Sequence, residues 1–214
     1  MRHASSDGTQ LAITSRSQAP ADQAAADLQQ YGDIIGIAAD VKDLTSQKAA
    51  VAKVIEKWGK LDVLVANAGV GHFAPIDQLD EASWQDTIDT NLTGVFYSVK
   101  AAVSHIKDSK GYIFTISSLA GTNFFEGGAA YNASKFGLTG FSQAIMLDLR
   151  KYNVKVSTIM PGSVATYFNE HGPDQEKDAW KIQPEDLGKL VVDMLNMHER
   201  TLPSKVEIRP TLPK

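Results

Sequence analysis

Residues 112–135 read Y-I-F-T-I-S-S-L-A-G-T-N-F-F-E-G-G-A-A-Y-N-A-S-K, an apolar run followed by a glycine-rich turn and a second segment. The β-branched and aromatic residues at its start predict a buried strand, and a helix is predicted to begin at about Ala129. Tyr131 and Lys135 lie four residues apart, so on that helix both side chains project from one face. An ammonium beside a phenol lowers the pKa of the phenol, and Ser118 can hydrogen-bond the same substrate oxygen. This strand–turn–helix unit therefore carries a candidate acid–base group.

Apolar strands and helical segments alternate along the rest of the chain. Strands are predicted at residues 10–14, 33–39, 61–66, 112–117, 154–160 and 205–208, and helices at 21–31, 44–58, 81–107, 129–152 and 184–198. Near-continuous apolar strands separated by helices are typical of a parallel sheet that is covered on both faces. We therefore expect an α/β fold with a doubly wound parallel sheet in three α/β/α layers, formed by residues 1–214 as a single domain.

The composition narrows the possible functions. The formal net charge of −4 and the lack of a basic run argue against nucleic acid and membrane surfaces as partners. The absence of cysteine excludes disulfides, zinc–thiolate sites and thiol nucleophiles, and the five scattered histidines show no metal-ligand spacing, so no metal is expected. No apolar run reaches the roughly 18 residues that a membrane span needs. We expect a cytoplasmic protein that acts on a small molecule.

Polar or turn-forming residues follow five of the predicted strands. They are Arg16, Asp40, Asn67, Ser118 and the pair Pro161-Gly162. In open parallel α/β sheets, ligands bind in the crevice beyond the carboxyl ends of the strands. The sequence therefore predicts that these residues share one binding cleft.

In their order and spacing these residues resemble the motifs of the short-chain dehydrogenase/reductase family, NAD(P)-dependent oxidoreductases with a Rossmann-like fold. The matching motifs are the N-A-G of Asn67-Ala68-Gly69, a catalytic tetrad of Asn91, Ser118, Tyr131 and Lys135, and the P-G-x-V-x-T segment of residues 161–166. The resemblance covers nearly the whole chain from Gly8 onward. It implies a carbonyl/alcohol oxidoreductase that uses hydride transfer.

The resemblance also implies a role for each member of the tetrad. Tyr131 would protonate the carbonyl oxygen, or deprotonate the alcohol, as hydride moves to or from the nicotinamide. Lys135 would lower the pKa of Tyr131 and hold the nicotinamide ribose, and Ser118 would orient the substrate oxygen. Asn91 would bind a water that links Lys135 to solvent.

Taken one at a time, these residues also fit plainer interpretations. Tyr131 and Lys135 fit an interfacial tyrosine beside a solvated lysine, because helices often carry the two residues four apart. Asp40 is also typical of a helix cap, Asn91 of an interior asparagine bonded to backbone, and Arg16 of a solvated surface side chain.

A nicotinamide dinucleotide is the cofactor that the resemblance implies. The cofactor-binding residues would be Arg16, Asp40, Val41, Asn67, Ala68, Gly69, Tyr131, Lys135, Pro161, Gly162, Val164 and Thr166. NAD-dependent members usually carry an aspartate one residue before the position of Arg16, where this chain has Ser15. A cation beside a neutral residue suits the 2′-phosphate, so NADP(H) is favoured over NAD(H).

The chain departs from the family at its amino-terminal end. It carries neither the T-G-x-x-x-G-I-G loop that binds the pyrophosphate nor the first strand that precedes this loop. The missing strand is central in the doubly wound order, so the family's second and fourth strands would lack their shared neighbour. Two interpretations therefore stay open: an NADP(H)-dependent oxidoreductase, or a non-catalytic truncated fragment or interaction protein with impaired cofactor binding.

The family resemblance has two further implications. Phe124, Phe125, Tyr167 and Phe168 would lie on the substrate side of the cleft and make it apolar. A homodimer or homotetramer would form through the helices at about residues 81–107 and 129–152.

Overall fold

The computed structural model describes residues 10–168, 172, 174 and 176–212. In this part of the chain the strands are β1 (Leu11–Ser15), β2 (Ile34–Ala38), β3 (Val63–Ala66), β4 (Tyr112–Ile116), β5 (Lys155–Pro161) and β6 (Lys205–Ile208). The α-helices are α1 (Gln18–Leu28), α2 (Leu44–Trp58), α3 (Glu81–Ile88), α4 (Gly94–Ser109), α5 (Ala129–Leu149) and α6 (Pro184–Leu195). The six predicted strands and the alternation with helices are confirmed.

The strands form two parallel sheets rather than one. β1 pairs with β2, and the second sheet has the order β3-β4-β5-β6. Within the described residues no strand pairs with the free edges of β1 and β3, as expected for a sheet that lacks the strand shared by these two. Val65 of β3 is 40% exposed, whereas Ile113 and Phe114 of the neighbouring β4 are fully buried.

Helices cover both faces of the larger sheet. Alternate residues of a strand point to opposite faces, so Ile113 packs on the side of α4 and α5, where Val95 and Leu138 lie in the same buried cluster. Tyr112 and Phe114 face the other way and pack with Met194 of α6. This arrangement confirms the predicted three-layer α/β/α architecture.

The two sheets are joined by the contact between α2 and α4, which we call the α2–α4 seam. In this seam the buried Ser98 hydroxyl donates to the Gln47 side chain over 3.0 Å. Val41, just before α2, lies so close to Gly94 that a Cβ at Gly94 would come within 2.9 Å of the Val41 Cγ2 atom. Lys42 forms an ion pair with Asp86 at 3.0 Å. The smaller sheet is therefore held to the larger one by helices and loops.

The predicted helix over 81–107 is interrupted. A π-helical turn, Asp89–Thr93, lies between α3 and α4. Such a turn accommodates one extra residue and is frequent at functional sites. It contains Asn91, which is fully buried. None of the helices in the described ranges is long and apolar enough to cross a membrane.

Candidate active site

The carboxyl ends of β1 to β5 open into a single cleft of about 1250 Å³. All twelve residues that the sequence predicts to bind a cofactor line this cleft: Arg16, Asp40, Val41, Asn67, Ala68, Gly69, Tyr131, Lys135, Pro161, Gly162, Val164 and Thr166. Ser118 lines it too, and Asn91 lies outside the lining. The structure thus brings together residues from the two separate sheets. Their roles stay a prediction.

Lys135 is the most deeply buried charged side chain of the cleft, with only 4% of its surface exposed. Its Nζ donates to the carbonyl oxygen of Ile116, at the end of β4, over 2.9 Å. Burial disfavours the ammonium and lowers the pKa of Lys135 to about 8. The Nζ atom lies 5.6 Å from the centroid of the Tyr131 ring.

Tyr131 is half-buried at the first turn of α5. Burial raises the pKa of its hydroxyl above the usual value, and a hydrogen bond with the Ser118 hydroxyl acts in the opposite direction. This net rise differs from the lowering expected from Lys135, because removal of the phenolate from water is the largest cause of the shift in the Tyr131 pKa. Ser118 is held in place as the residue that caps a short 3₁₀ turn, where its hydroxyl accepts from the backbone N–H of Ala120 over 3.1 Å.

Asn91 connects three elements beneath the cleft. Its Oδ1 accepts from the Val70 N–H over 2.8 Å, and its Nδ2 donates to the Val70 carbonyl over 2.8 Å and to the Ser134 hydroxyl over 3.0 Å. These bonds match the interpretation of an interior asparagine bonded to backbone, while a water between Asn91 and Lys135 stays a prediction. A Cβ at Gly69 would lie 3.3 Å from Asn91 Oδ1 and 3.6 Å from Lys135 Nζ, so the chain passes close to both.

One end of the cleft holds two basic side chains, Arg16 and Lys42, beside the carboxylates of Asp40 and Asp86. Arg16 follows β1 and is exposed, and its charge acts against protonation of the nearby Lys42. The hydrogen bond from Lys42 to Asp86 nevertheless raises the pKa of Lys42. His72 and Lys42 together lower the pKa of Asp86. Lys42 is missed by the sequence analysis, since its pairing with Asp86 is visible only in the folded chain.

Asp40 lies beside these basic residues and shapes the loop after β2. Its Oδ1 accepts from the Lys42 N–H over 2.9 Å, which closes a tight turn. The cap of α2 is supplied instead by Asp43, whose side chain accepts from the Thr45 N–H over 2.8 Å. Asp40 is therefore not the helix cap that the sequence alone also allowed.

Residues 161–166 form the opposite wall of the cleft. The Gly162 N–H donates to the Ile208 carbonyl over 2.8 Å, and the Ala165 N–H donates to the Ile182 carbonyl over 2.9 Å. A Cβ at Gly162 would come within 3.1 Å of the Leu119 side chain. The segment is thus hydrogen-bonded to β6 and to Ile182, and there is little room for a larger residue at Gly162.

Three phenylalanines surround the ring of Tyr131. Phe73, Phe125 and Phe168 lie 5.4, 6.5 and 5.8 Å from it between ring centroids. Phe125 and Phe168 were expected on this side, whereas Phe73 was not, and its only signal is its position four residues after the N-A-G motif. Phe124 and Tyr167, 84% and 80% exposed, also line the cleft, and the Phe124 ring stacks on Phe136. No group of three potential metal ligands occurs among the described residues.

The chain is similar to known oxidoreductases over most of its length. A family model described as short chain dehydrogenase matches residues 1–177. The chain is 32% identical to a sepiapterin reductase of Chlorobaculum tepidum over 204 residues, which cover 94% of this chain and 83% of that protein.

Two solved structures share the fold. An alcohol dehydrogenase from the archaeon Thermococcus sibiricus, complexed with 5-hydroxy-NADP, superposes with a TM-score of 0.93 at 25% identity, covering 100% of this chain and 91% of that one. A metagenomic short-chain oxidoreductase in complex with NADP superposes with a TM-score of 0.84 at 31% identity, covering 99% and 90%. These likenesses agree with the Rossmann-like architecture.

Proposed function

The chain belongs to the short chain dehydrogenase family, and from this premise we propose that it interconverts a carbonyl and an alcohol by hydride transfer with a nicotinamide cofactor. The observation that carries the proposal is the convergence of Ser118, Tyr131 and the buried Lys135 on the cleft that also holds the predicted dinucleotide-binding residues. A candidate proton donor and a candidate dinucleotide-binding site therefore share one cleft.

The residues of the cleft fit a dinucleotide in two respects. Gly69 and Gly162 occupy places where a Cβ would meet Asn91 and Leu119, so the backbone itself forms the wall against which a flat ligand can lie. Basic side chains at one end suit a phosphate. Among the described residues, however, none belongs to a T-G-x-x-x-G-I-G loop, the feature that would bind the pyrophosphate.

Tyr131 is the proposed general acid and base. In reduction its hydroxyl gives a proton to the substrate oxygen, and in oxidation the phenolate accepts that proton from the alcohol. A bound nicotinamide would supply or accept the hydride. The Ser118 hydroxyl orients the same oxygen. The ammonium of Lys135, with its Nζ 5.6 Å from the centroid of the Tyr131 ring, is the proposed source of the positive charge that stabilises the phenolate against the effect of burial.

We propose NADP(H) as the preferred cofactor. Arg16 and Lys42 lie close together at the ends of β1 and β2, where Ser15 is neutral. Lys42 is paired with Asp86 at 3.0 Å and lies near Asp40, so Arg16 is the proposed ligand of the 2′-phosphate. A guanidinium–phosphate bond is charge-assisted and contributes about 1.5–3 kcal/mol.

Titration of the purified chain with NADPH and NADH tests this preference. Arg16→Ala should weaken NADPH binding about 10- to 100-fold and leave NADH binding nearly unchanged. Arg200→Ala, which removes an exposed arginine outside the cleft, is the matched control. Equal loss of affinity for both nucleotides would contradict a role for Arg16 at the 2′-phosphate.

A non-catalytic role is the second candidate, favoured by the break between β1 and β3. A cooperatively folded chain that binds neither nucleotide would support it and would exclude the oxidoreductase. Turnover of any ketone with NADPH, lost in Tyr131→Phe, would support the enzyme instead.

We also propose that the chain forms homodimers or homotetramers through α4 and α5. These helices border a surface groove of about 550 Å³ lined by Phe96, Phe141 and Tyr152, of which Phe96 is 44% exposed. Sedimentation velocity should show a dimer or larger species that Phe96→Asp dissociates and Ile76→Asp does not. A cytoplasmic location stays a prediction, which cell fractionation tests.

A further inference from the structure

Phe73, Phe125 and Phe168, which we call the aromatic collar, come from three separate loops and meet at Tyr131. Phe73 touches Tyr131 edge to face, with ring centroids 5.4 Å apart, and lies 5.6 Å from Phe125 and 6.5 Å from Phe168. Phe73 therefore contacts both other phenylalanine rings, and all three pack against the ring that carries the proposed proton donor.

The collar is not a closed core. Phe73, Phe125 and Phe168 remain 46%, 48% and 38% exposed, although each packs against other rings. Phe125 and Phe168 line the cleft, whereas Phe73 lies outside its lining and packs against both of them. Clustered aromatic surface that stays open to a cleft is characteristic of a site that binds an apolar ligand.

The charged residues that line this side of the cleft within the described ranges are already engaged. Lys181 pairs with Asp178 at 2.7 Å, Arg209 pairs with Glu207 at 3.2 Å, and Lys135 is buried against the Ile116 carbonyl. A charged substrate group would have to compete with these partners or lose its hydration without compensation. Arg16 and Lys42 lie at the other end of the cleft, where Lys42 is likewise paired with Asp86.

We propose that the substrate is uncharged and carries an aromatic or alicyclic ring next to its carbonyl or carbinol carbon, with that ring packed against the aromatic collar. The inference rests on the proposed function and names the substrate class of its site. A ring presents a flat, rigid surface to the edges and faces of the phenylalanines and loses little conformational entropy on binding, whereas a linear chain must give up several rotors.

A matched pair of ketones separates shape from hydrophobicity. Cyclohexyl methyl ketone and 2-octanone have the same number of carbons, and the linear ketone exposes at least as much apolar surface. Their dissociation constants, measured by calorimetry on the intact chain with NADP⁺, which has no hydride to donate to the ketone, should favour the ring by about tenfold. The ratio of kcat/KM should favour it by a similar factor.

Two variants test whether the preference for the cyclic ketone depends on the aromatic collar. Phe168→Leu keeps an apolar side chain but removes the ring, so it should abolish most of the preference for the cyclic ketone and change the binding of 2-octanone less. Trp84→Leu, which removes a 40% exposed aromatic ring outside the cleft, should retain the preference. In addition, 4-acetylbenzoate should bind at least tenfold more weakly than acetophenone.

Binding measurements test the substrate class, and turnover measurements test the oxidoreductase activity. Equal or tighter binding of 2-octanone, or of 4-acetylbenzoate relative to acetophenone, would overturn the inference whether or not the chain is active. If the cyclic ketone binds as expected but is not reduced, the substrate class stands and the proposed oxidoreductase activity fails.

Discussion

At the scale of single residues, the charge on Lys135 links chemistry to stability. Its pKa is about 8 in the folded chain, against 10.5 for an ordinary lysine, so the unfolded chain binds the proton more tightly. The cost of burying the ammonium is therefore complete below pH 8 and decreases as the pH rises through 8 toward 10.5. A residue selected for stability alone would not be charged here.

We expect Lys135→Met to raise the free energy of unfolding by roughly 1–3 kcal/mol at pH 7. Removal of the buried charge stabilises the folded chain, and the loss of one hydrogen bond to Ile116 offsets only part of this gain. The gain should be smaller at pH 9 by about 1 kcal/mol, since wild-type Lys135 is then largely neutral. Urea unfolding at the two pH values measures both quantities.

Lys53→Met, on the exposed face of α2, is the control for loss of a solvated charge. A gain from Lys135→Met that is the same at pH 7 and pH 9 would show that Lys135 does not carry a depressed pKa. The variant should also be inactive if Lys135 stabilises the Tyr131 phenolate.

The sequence is enough to identify the candidate catalytic residues, but it does not give the directions of their pKa shifts. Local spacing is enough to put Tyr131 and Lys135 on one helix face, but the directions of their pKa shifts depend on burial by distant segments. Phe73 is missed because it lies in an irregular loop without periodicity. Lys42 is missed because its partner is 44 residues away in the chain.

At the scale of secondary-structure elements, the α2–α4 seam determines how the two sheets are held together. Gly94 allows Val41 to approach the start of α4, where a Cβ would meet the Val41 side chain at 2.9 Å. Gly140, on the exposed side of α5, has no neighbour within 4 Å of the position that a Cβ would occupy. The two helical glycines therefore form a natural comparison.

Gly94→Ala should lower the free energy of unfolding by about 1–2 kcal/mol, because the free-energy cost of overpacking against Val41 exceeds the stabilisation from the higher helix propensity of alanine. Gly140→Ala should raise it by up to about 1 kcal/mol, because only the propensity changes. Chemical denaturation of both variants checks these signs. Stabilisation by both substitutions would mean that the α2–α4 seam adapts without cost.

The bounds of the helices and strands can be predicted from the sequence, whereas the interruption of the long predicted helix cannot. Strand runs and caps are local signals, and the family resemblance, now confirmed, gives the strand order. The π-helical turn at Asp89–Thr93 adds a single residue to an otherwise regular pattern, so hydrophobic periodicity does not reveal it.

At the scale of the whole molecule, the cleft spans both sheets. Arg16 and Asp40 follow strands of the smaller sheet, whereas Lys135 and Gly162 belong to the larger one. That the chain folds as a single domain stays a prediction. Calorimetry should give one unfolding transition, and two resolved transitions would mean that the sheets unfold independently.

A saturating nucleotide should stabilise this arrangement. At about 100 times its dissociation constant, NADPH contributes about 2.7 kcal/mol by mass action, which corresponds to a rise in Tm of about 5–10 °C for a chain of this size. Arg16→Ala should reduce the rise at the same NADPH concentration. No change in Tm at a concentration shown to saturate the site would contradict binding to the folded chain.

The free edges of β1 and β3 give the cleft a further property. A dinucleotide that contacts residues of both sheets would tether two halves that no strand hydrogen-bonds together within the described residues. Backbone amides along Leu11–Ser15 and Val63–Ala66 would then exchange their hydrogens with solvent more slowly, even those far from the nucleotide. The exchange rate of these strand edges would thus report, from a distance, whether the cleft is filled.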